Sequence, residues 1–297
     1  MLDPDGVLQL RSVNSIVKTI FGAKGGVVSG SLTPDGDRHC RPTTPHSHLE
    51  CDVSKGMAAS ANMVAYKVVF FALGCFMLAT LIYTTVTDGS PFRIELLTPW
   101  MVATLIDFYV NVVAIAAWVA YKEPTWMKAF LWVILLVCFG SLATCAYITL
   151  KLFNITSQHL QDPVSQLLLR KDHEHNVKCS SIMIGRVLFS ILGIVVSVVV
   201  VYTVITDGLP FRMELLTPWM ATTLIDFYIN VFAISVWVVH KESTWISAFF
   251  WICLLICFGS ITTCAYIVIQ LLRLSLEDPM YYVLLDSRSK HGSTSPK

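Results

Sequence analysis

Six stretches of the chain are apolar along their whole length and are separated by short polar segments. They cover residues 68–87, 99–121, 129–150, 187–206, 218–239 and 248–269. Each has about the twenty residues that a helix needs to cross a bilayer. A helix of a soluble bundle would show a polar face at the 3.6-residue period, but VVSVVVV at 195–201 has none. The pattern predicts an all-α, polytopic membrane protein with six transmembrane helices.

The second half of the chain repeats the first at an offset of 119 residues. The block DGSPFRIELLTPWM at 88–101 returns as DGLPFRMELLTPWM at 207–220, with 12 of 14 positions identical. The next 48 positions add 30 identities. Such self-similarity at a fixed offset indicates a duplicated structural unit. Here the predicted unit contains three helices.

The odd number of helices in each unit has a consequence for topology. After three crossings the chain enters the second unit from the opposite side of the membrane, so the sequence predicts two inverted three-helix repeats. Inverted repeats are typical of transporter folds, although inverted duplication also builds passive scaffolds. The distribution of Lys and Arg between the loops slightly favours cytoplasmic termini under the positive-inside rule. Plasma membrane and endomembrane both stay open.

The same patterns divide the chain into five parts. We expect a disordered tail at 1–63, a first repeat at 64–156, a polar linker at 157–183, a second repeat at 184–285 and a C-terminal tail at 286–297. The N-terminal tail lacks the apolar stretch of a secretory signal. Residues 1–56 are predicted to be dispensable for folding, because they lack any buried pattern, and Met57 could start a shorter product.

Composition agrees with a membrane protein and excludes several other classes. Hydrophobic residues make up 55% of the chain and charged residues 14%, with a mean hydropathy of +0.65, whereas typical soluble domains have about 25% charged residues. A net charge of +1 lacks the basic surplus of nucleic-acid-binding proteins. The chain has no Walker loop and no HExxH motif. No cofactor and no metal site is predicted, because the spacing of Cys40, His46, His48 and Cys51 does not match a structural zinc site.

Two carboxylates lie inside the predicted spans, at equivalent positions of the repeats. Asp107 is in the second span and Asp226 is in the fifth, and Asn111 and Asn230 follow them one helical turn later. An Asp near the centre of a membrane helix costs about 2.5–3.5 kcal/mol on insertion scales, which makes it a functional candidate. The alternative is structural, because polar side chains also join membrane helices through hydrogen bonds worth about 1 kcal/mol.

Other polar residues recur in both repeats. Arg93 and Glu95 precede the second span, as Arg212 and Glu214 precede the fifth, and these pairs could gate a pathway or simply pair with each other at the surface. The third and sixth spans contain GSLATC at 140–145 and GSITTC at 259–264. Small residues four apart predict close packing between helices.

These motifs resemble those of a known family. The twin DG-PFR-ELLTPWM blocks, the LIDFY-N spans and the CFGS…TCAYI spans are similar to the plant family of uncharacterised membrane proteins catalogued as domain of unknown function 1475, over residue 64 to about 285. The resemblance implies a multi-pass plant membrane protein and no particular activity. The Asp-x3-Asn span with a following Glu is also similar to small three-span proteins grouped near the integral-membrane terpene cyclases, in which carboxylates protonate an apolar substrate.

Three functions follow as hypotheses. In a transporter, Asp107 and Asp226 would bind a cation or carry a proton, with Asn111 and Asn230 as neutral ligands. In an enzyme acting on a lipidic substrate, one Asp would be a general acid. In a non-catalytic scaffold, the carboxylates would only join helices. The predicted partners are the lipid bilayer and a small-molecule or ion ligand, and the sequence leaves the substrate and the oligomeric state open.

Overall fold

The computed structural model describes residues 45–154, 167, 179–210 and 212–274, with the backbone alone for 45–61, 179–181 and 213. The described residues form helices and no strand, as predicted. The helices are α1 (Pro45–Asp88), α2 (Pro99–Lys122), α3 (Trp126–Phe139), α4 (Ser141–Asn154), α5 (Cys179–Asp207), α6 (Pro218–Lys241), α7 (Trp245–Phe258) and α8 (Ser260–Leu272). We call α1–α4 the first half and α5–α8 the second half. The predicted tail at 1–63, the linker at 157–183 and the tail at 286–297 lie largely outside the described residues.

Four helices are long and apolar enough to cross a membrane. Their candidate spans are Asn62–Asp88, Pro99–Lys122, Ile182–Asp207 and Pro218–Lys241. The start of α2 is fixed locally, because the Thr98 hydroxyl accepts a hydrogen bond from the N–H of Met101 and proline occupies the first turn. Thr217 caps α6 in the same way. The chain is therefore an integral membrane protein by the length and composition of these helices.

The third and sixth predicted spans are interrupted in the middle. Gly140 and Gly259 each have φ +53°, with ψ −127° and −126°, a conformation that glycine adopts without a steric penalty. Each interruption leaves two helices of 13 or 14 residues. At 1.5 Å per residue such a helix is about 21 Å long, which is shorter than the roughly 30 Å hydrocarbon core.

The two short helices of each pair fold back on each other. The rings of Trp132 and Tyr147 lie 5.0 Å apart, although a continuous helix would separate them by about 22 Å along its axis. Lys67, near the start of the first span, lies 5.2 Å from the ring of Phe153 at the end of α4. The helix α4 thus returns to the side on which α3 begins. We call α3–α4 hairpin 1 and α7–α8 hairpin 2, in which Trp251 and Tyr266 make the matching contact at 4.9 Å.

This geometry does not confirm two predictions, namely six crossings and inverted repeats. A hairpin that returns to its own side leaves two crossings in each half, so the second half enters from the same side as the first. Direct contacts agree: the indole N–H of Trp100 at the start of α2 donates to the carbonyl of Gly208 after α5, at 3.2 Å. The hydroxyls of Thr84 and Thr222 are 2.7 Å apart. The halves therefore run parallel.

Two sides of the molecule follow from this arrangement. The loop side holds residues 88–98 and 207–217, and there Trp100, Met101, Trp219 and Met220 form one apolar cluster between the halves. The hairpin side holds both ends of each hairpin. The central helices α2 and α6 pack against each other, while α4 packs closely on α1, where a Cβ at Gly74 would be 3.3 Å from that of Cys145.

The parallel arrangement predicts a labelling pattern. Cysteines at Ser90 and Leu209, which are exposed in equivalent loops, should react with a membrane-impermeant thiol reagent from one side only, and from the same side. Cysteines at Pro124 and Ser243, exposed between helix and hairpin, should react from the other side. The measurement uses sealed vesicles and a background without native cysteines. Labelling of Ser90→Cys and Leu209→Cys from opposite sides would restore the inverted arrangement.

Candidate functional site

Each hairpin tip is held by a carboxylate of the opposite half. The N–H of Ser141, the first residue of α4, donates to Asp226 Oδ1 at 2.7 Å. The N–H of Ser260, the first residue of α8, donates to Asp107 Oδ1 at 2.8 Å. The N-terminus of a helix carries unpaired N–H groups and a partial positive charge. An anionic side chain at this point accepts a hydrogen bond from an unpaired N–H and balances the partial positive charge. The two aspartates therefore cap the inner helices of the hairpins.

Glycine is required at the tip for a second reason besides its φ angle. A Cβ at Gly140 would lie 2.4 Å from Asp226 Oδ2, and one at Gly259 would lie 2.5 Å from Asp107 Oδ2. The carboxylate therefore rests directly on the glycine Cα. Non-helical backbone within a membrane persists only where protein surrounds it and satisfies its polar groups. Glycine and aspartate together meet this requirement.

Both asparagines are completely buried next to the capped tips. Asn230 Oδ1 accepts a hydrogen bond from the hydroxyl of Thr144 at 2.8 Å. Thr144 belongs to α4, so this contact also joins the two halves. The amide nitrogen and oxygen of Asn111, by contrast, have no hydrogen-bond partner among the described residues. The equivalent positions of the two halves thus differ in their hydrogen bonding.

A cavity of about 190 Å³ lies between the halves on the hairpin side of the tips. Helices α1, α2, α4, α5, α6 and α8 all contribute to its wall. The wall contains pairs of residues 119 positions apart, namely Phe70 with Phe189, Ala114 with Ala233, Ile115 with Ile234, Trp118 with Trp237, and Thr144 with Thr263. We call it the axial cavity. Its wall is apolar apart from a few hydroxyl and indole groups, and none of Asp107, Asn111, Asp226 and Asn230 lines it.

Two buried glutamates, which closely follow the second and fifth apolar stretches in the sequence, lie at the hairpin side. Glu123 accepts a hydrogen bond from the Tyr147 hydroxyl at 2.9 Å and forms an ion pair with Lys151. Glu242 accepts from Tyr266 at 2.9 Å. Gln270 of the second half replaces the lysine, at 3.4 Å from Glu242. Each glutamate joins the end of a long helix to the inner helix of its own hairpin.

The charge of Glu123 is stabilised by its partners. Burial opposes the ionised form, but the hydrogen bonds from Lys151 and Tyr147 and the positive charges of Lys151 and Lys128 outweigh it and hold the pKa of this carboxyl below its usual range. The ion pair therefore stays formed at neutral pH.

The loop residues proposed from the sequence take a different partner from the one expected. Arg93 pairs with Asp88 at 2.8 Å rather than with Glu95, and Arg212 pairs with Asp207 at 3.1 Å rather than with Glu214. These pairs lie at the exposed ends of α1 and α5, where surface ion pairs contribute little. Their arrangement closes each loop on the preceding helix.

The two intramembrane aspartates that the sequence predicted as site residues make contacts that the repeat alone did not indicate. Asp107 meets hairpin 2 and Asp226 meets hairpin 1, so each residue serves the other half. Their proposed cation or proton role stays a prediction. Thr144 and Thr263 were interpreted only as close-packing residues, and the hydrogen bonds of the two glutamates were not predicted. A glycine followed by serine in the middle of an apolar run was the available signal for the hairpin tips.

The capping contacts predict graded effects of substitution. Asp226→Ala should destabilise the protein by about 1–2 kcal/mol, the usual cost of losing a cap. Asp226→Asn should cost less, because an amide oxygen can still accept the Ser141 N–H while the favourable charge is lost. The same two substitutions at Asp107 should have the same effects. Asp88→Ala, which removes a surface ion pair, is the control and should have little effect. Unfolding in detergent measures the effect. If both Asn variants fold normally but abolish an activity, the carboxylates carry an ion or a proton as well.

The lowered pKa of Glu123 predicts a pH dependence. A carboxyl with a depressed folded-state pKa adds stability that is present above its unfolded pKa, of about 4.3, and is lost as the pH falls through the folded value. The midpoint of Glu123→Gln should therefore lie below that of the wild type at pH 7, and the gap should close in acid. A gap that is constant from pH 7 to pH 3 would contradict the assignment. Lys151→Gln, which copies the second half, should reproduce most of the loss.

Comparison with known proteins adds one match. No curated protein and no solved structure matches the chain. A family model described as a protein of unknown function, DUF1475, matches residues 57–291, which include the four candidate spans, both hairpins and the axial cavity. The chain belongs to the DUF1475 family.

Proposed function

We propose that this protein binds a small, predominantly apolar molecule in the axial cavity, within the membrane. The observation that carries the proposal is the cavity itself, of about 190 Å³, between two parallel halves. Engineered apolar cavities of about 150 Å³ bind benzene, so there is room for a molecule of that size or larger. Ligand sites in proteins are mostly apolar pockets with a few placed polar groups, often between helices of a bundle.

The same geometry bears on the three functions predicted from the sequence. A carboxylate acting as a general acid must reach the proton acceptor of the substrate, and no described carboxylate lines the cavity. Acid catalysis is therefore not favoured. A pure scaffold would have a packed centre, whereas this protein has a cavity there, so the scaffold function is not favoured either. A carrier remains the second candidate, because the Trp100–Met101–Trp219–Met220 cluster closes the loop side of the same axis and could open with the hairpins.

The hairpins are the elements that a ligand in this cavity would influence. Thr144 and Ile148 of hairpin 1 and Thr263 and Ile267 of hairpin 2 line the cavity. Among the described residues, the tips are held by the caps, by the hydrogen bond from Thr144 to Asn230 and by packing across the halves. In this proposal occupancy changes how firmly the hairpins are held, and the reciprocal Asp caps transmit that change from one half to the other.

The proposal predicts saturable stabilisation by a simple probe. 1-Hexanol should raise the unfolding midpoint of the wild type in detergent, as expected for a ligand that binds the folded state alone. Ala114→Phe and Ala233→Phe place a ring in the cavity and should abolish the rise.

The control is Ala120→Phe, at an exposed position of α2 outside the cavity wall, which should keep the rise. The same response to 1-hexanol in all four proteins would mean that the probe acts through the detergent, and the proposal would fail.

A further inference from the structure

The axial cavity extends from the hairpin tips toward one side of the membrane, the hairpin side. Its wall includes Tyr121, Leu152 and Leu271, which lie at or next to the hairpin-side ends of α2, α4 and α8. Leu167, which belongs to the segment between the two halves, lines the wall as well. Among the described residues, none from the loop-side half of a long helix contributes to the wall. The cavity therefore reaches the membrane surface at one end only.

The loop side of the same axis is closed by contacts between the halves. The four Trp and Met side chains at the starts of α2 and α6 are buried against each other. The Trp100 indole donates to the carbonyl of Gly208 at 3.2 Å, and the hydroxyls of Thr84 and Thr222 form a buried hydrogen bond at 2.7 Å. A molecule entering from the loop side would have to separate all of these contacts.

One residue of α2 locates the opening of the cavity. The cavity is only partly enclosed, and Ala117 both lines it and is exposed. At 1.5 Å per residue, Ala117 is about 10 Å beyond the middle of α2 toward the hairpin side, and half of the hydrocarbon core is about 15 Å thick. The opening at Ala117 thus lies within the leaflet on the hairpin side.

The basic residues lie almost entirely on the same side. Of the Lys and Arg residues that the structure describes, only Arg93 and Arg212 are on the loop side, where each pairs with an aspartate. The segment between the halves adds three more basic residues by sequence. The described basic residues of the hairpin side are Lys55, Lys67, Lys122, Lys128, Lys151, Arg186, Lys241 and Arg273.

This distribution favours a cytoplasmic hairpin side. Short cytoplasmic segments next to membrane helices carry an excess of Lys and Arg, and the cytoplasmic leaflet carries anionic lipids that attract them. The inverted arrangement divided the same residues between two sides and left only a slight bias, whereas parallel halves bring them together. The exposed indole of Trp126, at the start of hairpin 1, suits the membrane surface at this end.

We infer that the axial cavity is filled from the cytoplasmic leaflet of the membrane, through the opening at Ala117. This inference rests on the proposed function and adds the source of the ligand. A small apolar molecule leaves water for hydrocarbon, so it reaches the opening through the leaflet. The loop side faces away from the cytoplasm and stays closed to the ligand.

The orientation is tested in cells with Pro124→Cys and Ser243→Cys, each in the background without native cysteines. A membrane-impermeant thiol reagent should label both only after digitonin has selectively permeabilised the plasma membrane. Ser90→Cys and Leu209→Cys should gain no label at that step, and the protein without cysteines should have none at any step. The opposite pattern would place the hairpin side outside the cytoplasm and overturn the inference, while the proposed function would stand.

The opening is tested by the exchange of a terminally trifluorinated 1-hexanol between detergent and cavity, measured by fluorine NMR. Ala117→Phe narrows the opening and should slow entry and release alike, by about tenfold, which corresponds to about 1.4 kcal/mol in each barrier. Ala120→Phe, at an exposed position of the same helix outside the cavity wall, is the matched control and should exchange like the wild type.

A loop-side variant completes the test. Trp100→Ala removes an indole and its hydrogen bond from the closed side and should leave the exchange rate unchanged. Faster exchange in Trp100→Ala, or wild-type exchange in Ala117→Phe, would place the opening elsewhere and overturn the inference. If Ala117→Phe no longer binds the probe, its ring occupies the cavity and Trp100→Ala decides. Absence of saturable binding by the wild type would remove the proposed function itself.

Discussion

The structure depends on satisfying the backbone where two helices break within the membrane. The inner helix of each hairpin begins at a depth where its free N–H groups have no water to bind. A carboxylate from the opposite half supplies the acceptor at 2.7 and 2.8 Å. Because the cap comes from the other half, one contact terminates a helix and also holds the halves together. The glycine at each tip lets the carboxylate approach closely enough to do so.

The reciprocal caps also determine where a cavity can exist. With both tips fixed near the Asp side chains, the inner helices α4 and α8 stand on either side of the axis and are kept apart by α2 and α6. Large side chains such as Trp118 and Trp237 occupy the wall, while Ala114 and Ala233 leave space. The buried glutamates tie the other ends of the inner helices through Tyr147 and Tyr266. Both ends of each inner helix are thereby anchored.

Much of the fold follows from the sequence, and the part that does not has a clear physical reason. Apolar length predicted the four long helices, and the stretch at 99–121 begins at the first residue of α2. The segment at 129–150 has the same apolar length as a span, so length could not reveal that Gly140 reverses the chain. Counting this segment as a span gave three crossings in each half instead of two, and this odd number produced the predicted inverted arrangement. Asp107 and Asp226 were found because a membrane carboxylate is costly, but their partners lie in the other half, which local sequence does not specify.

The reciprocity of the Asp caps has a consequence for the smallest complete form of this architecture. One half alone would expose a hairpin tip without an acceptor and a carboxylate without a donor, so it would be less stable than the complete chain. Two copies of one half would supply both contacts to each other as a homodimer. Since the halves are parallel, such a dimer would need both subunits inserted with the same orientation. Joining them end to end would then require only a linker on the hairpin side, with no reversal of membrane orientation.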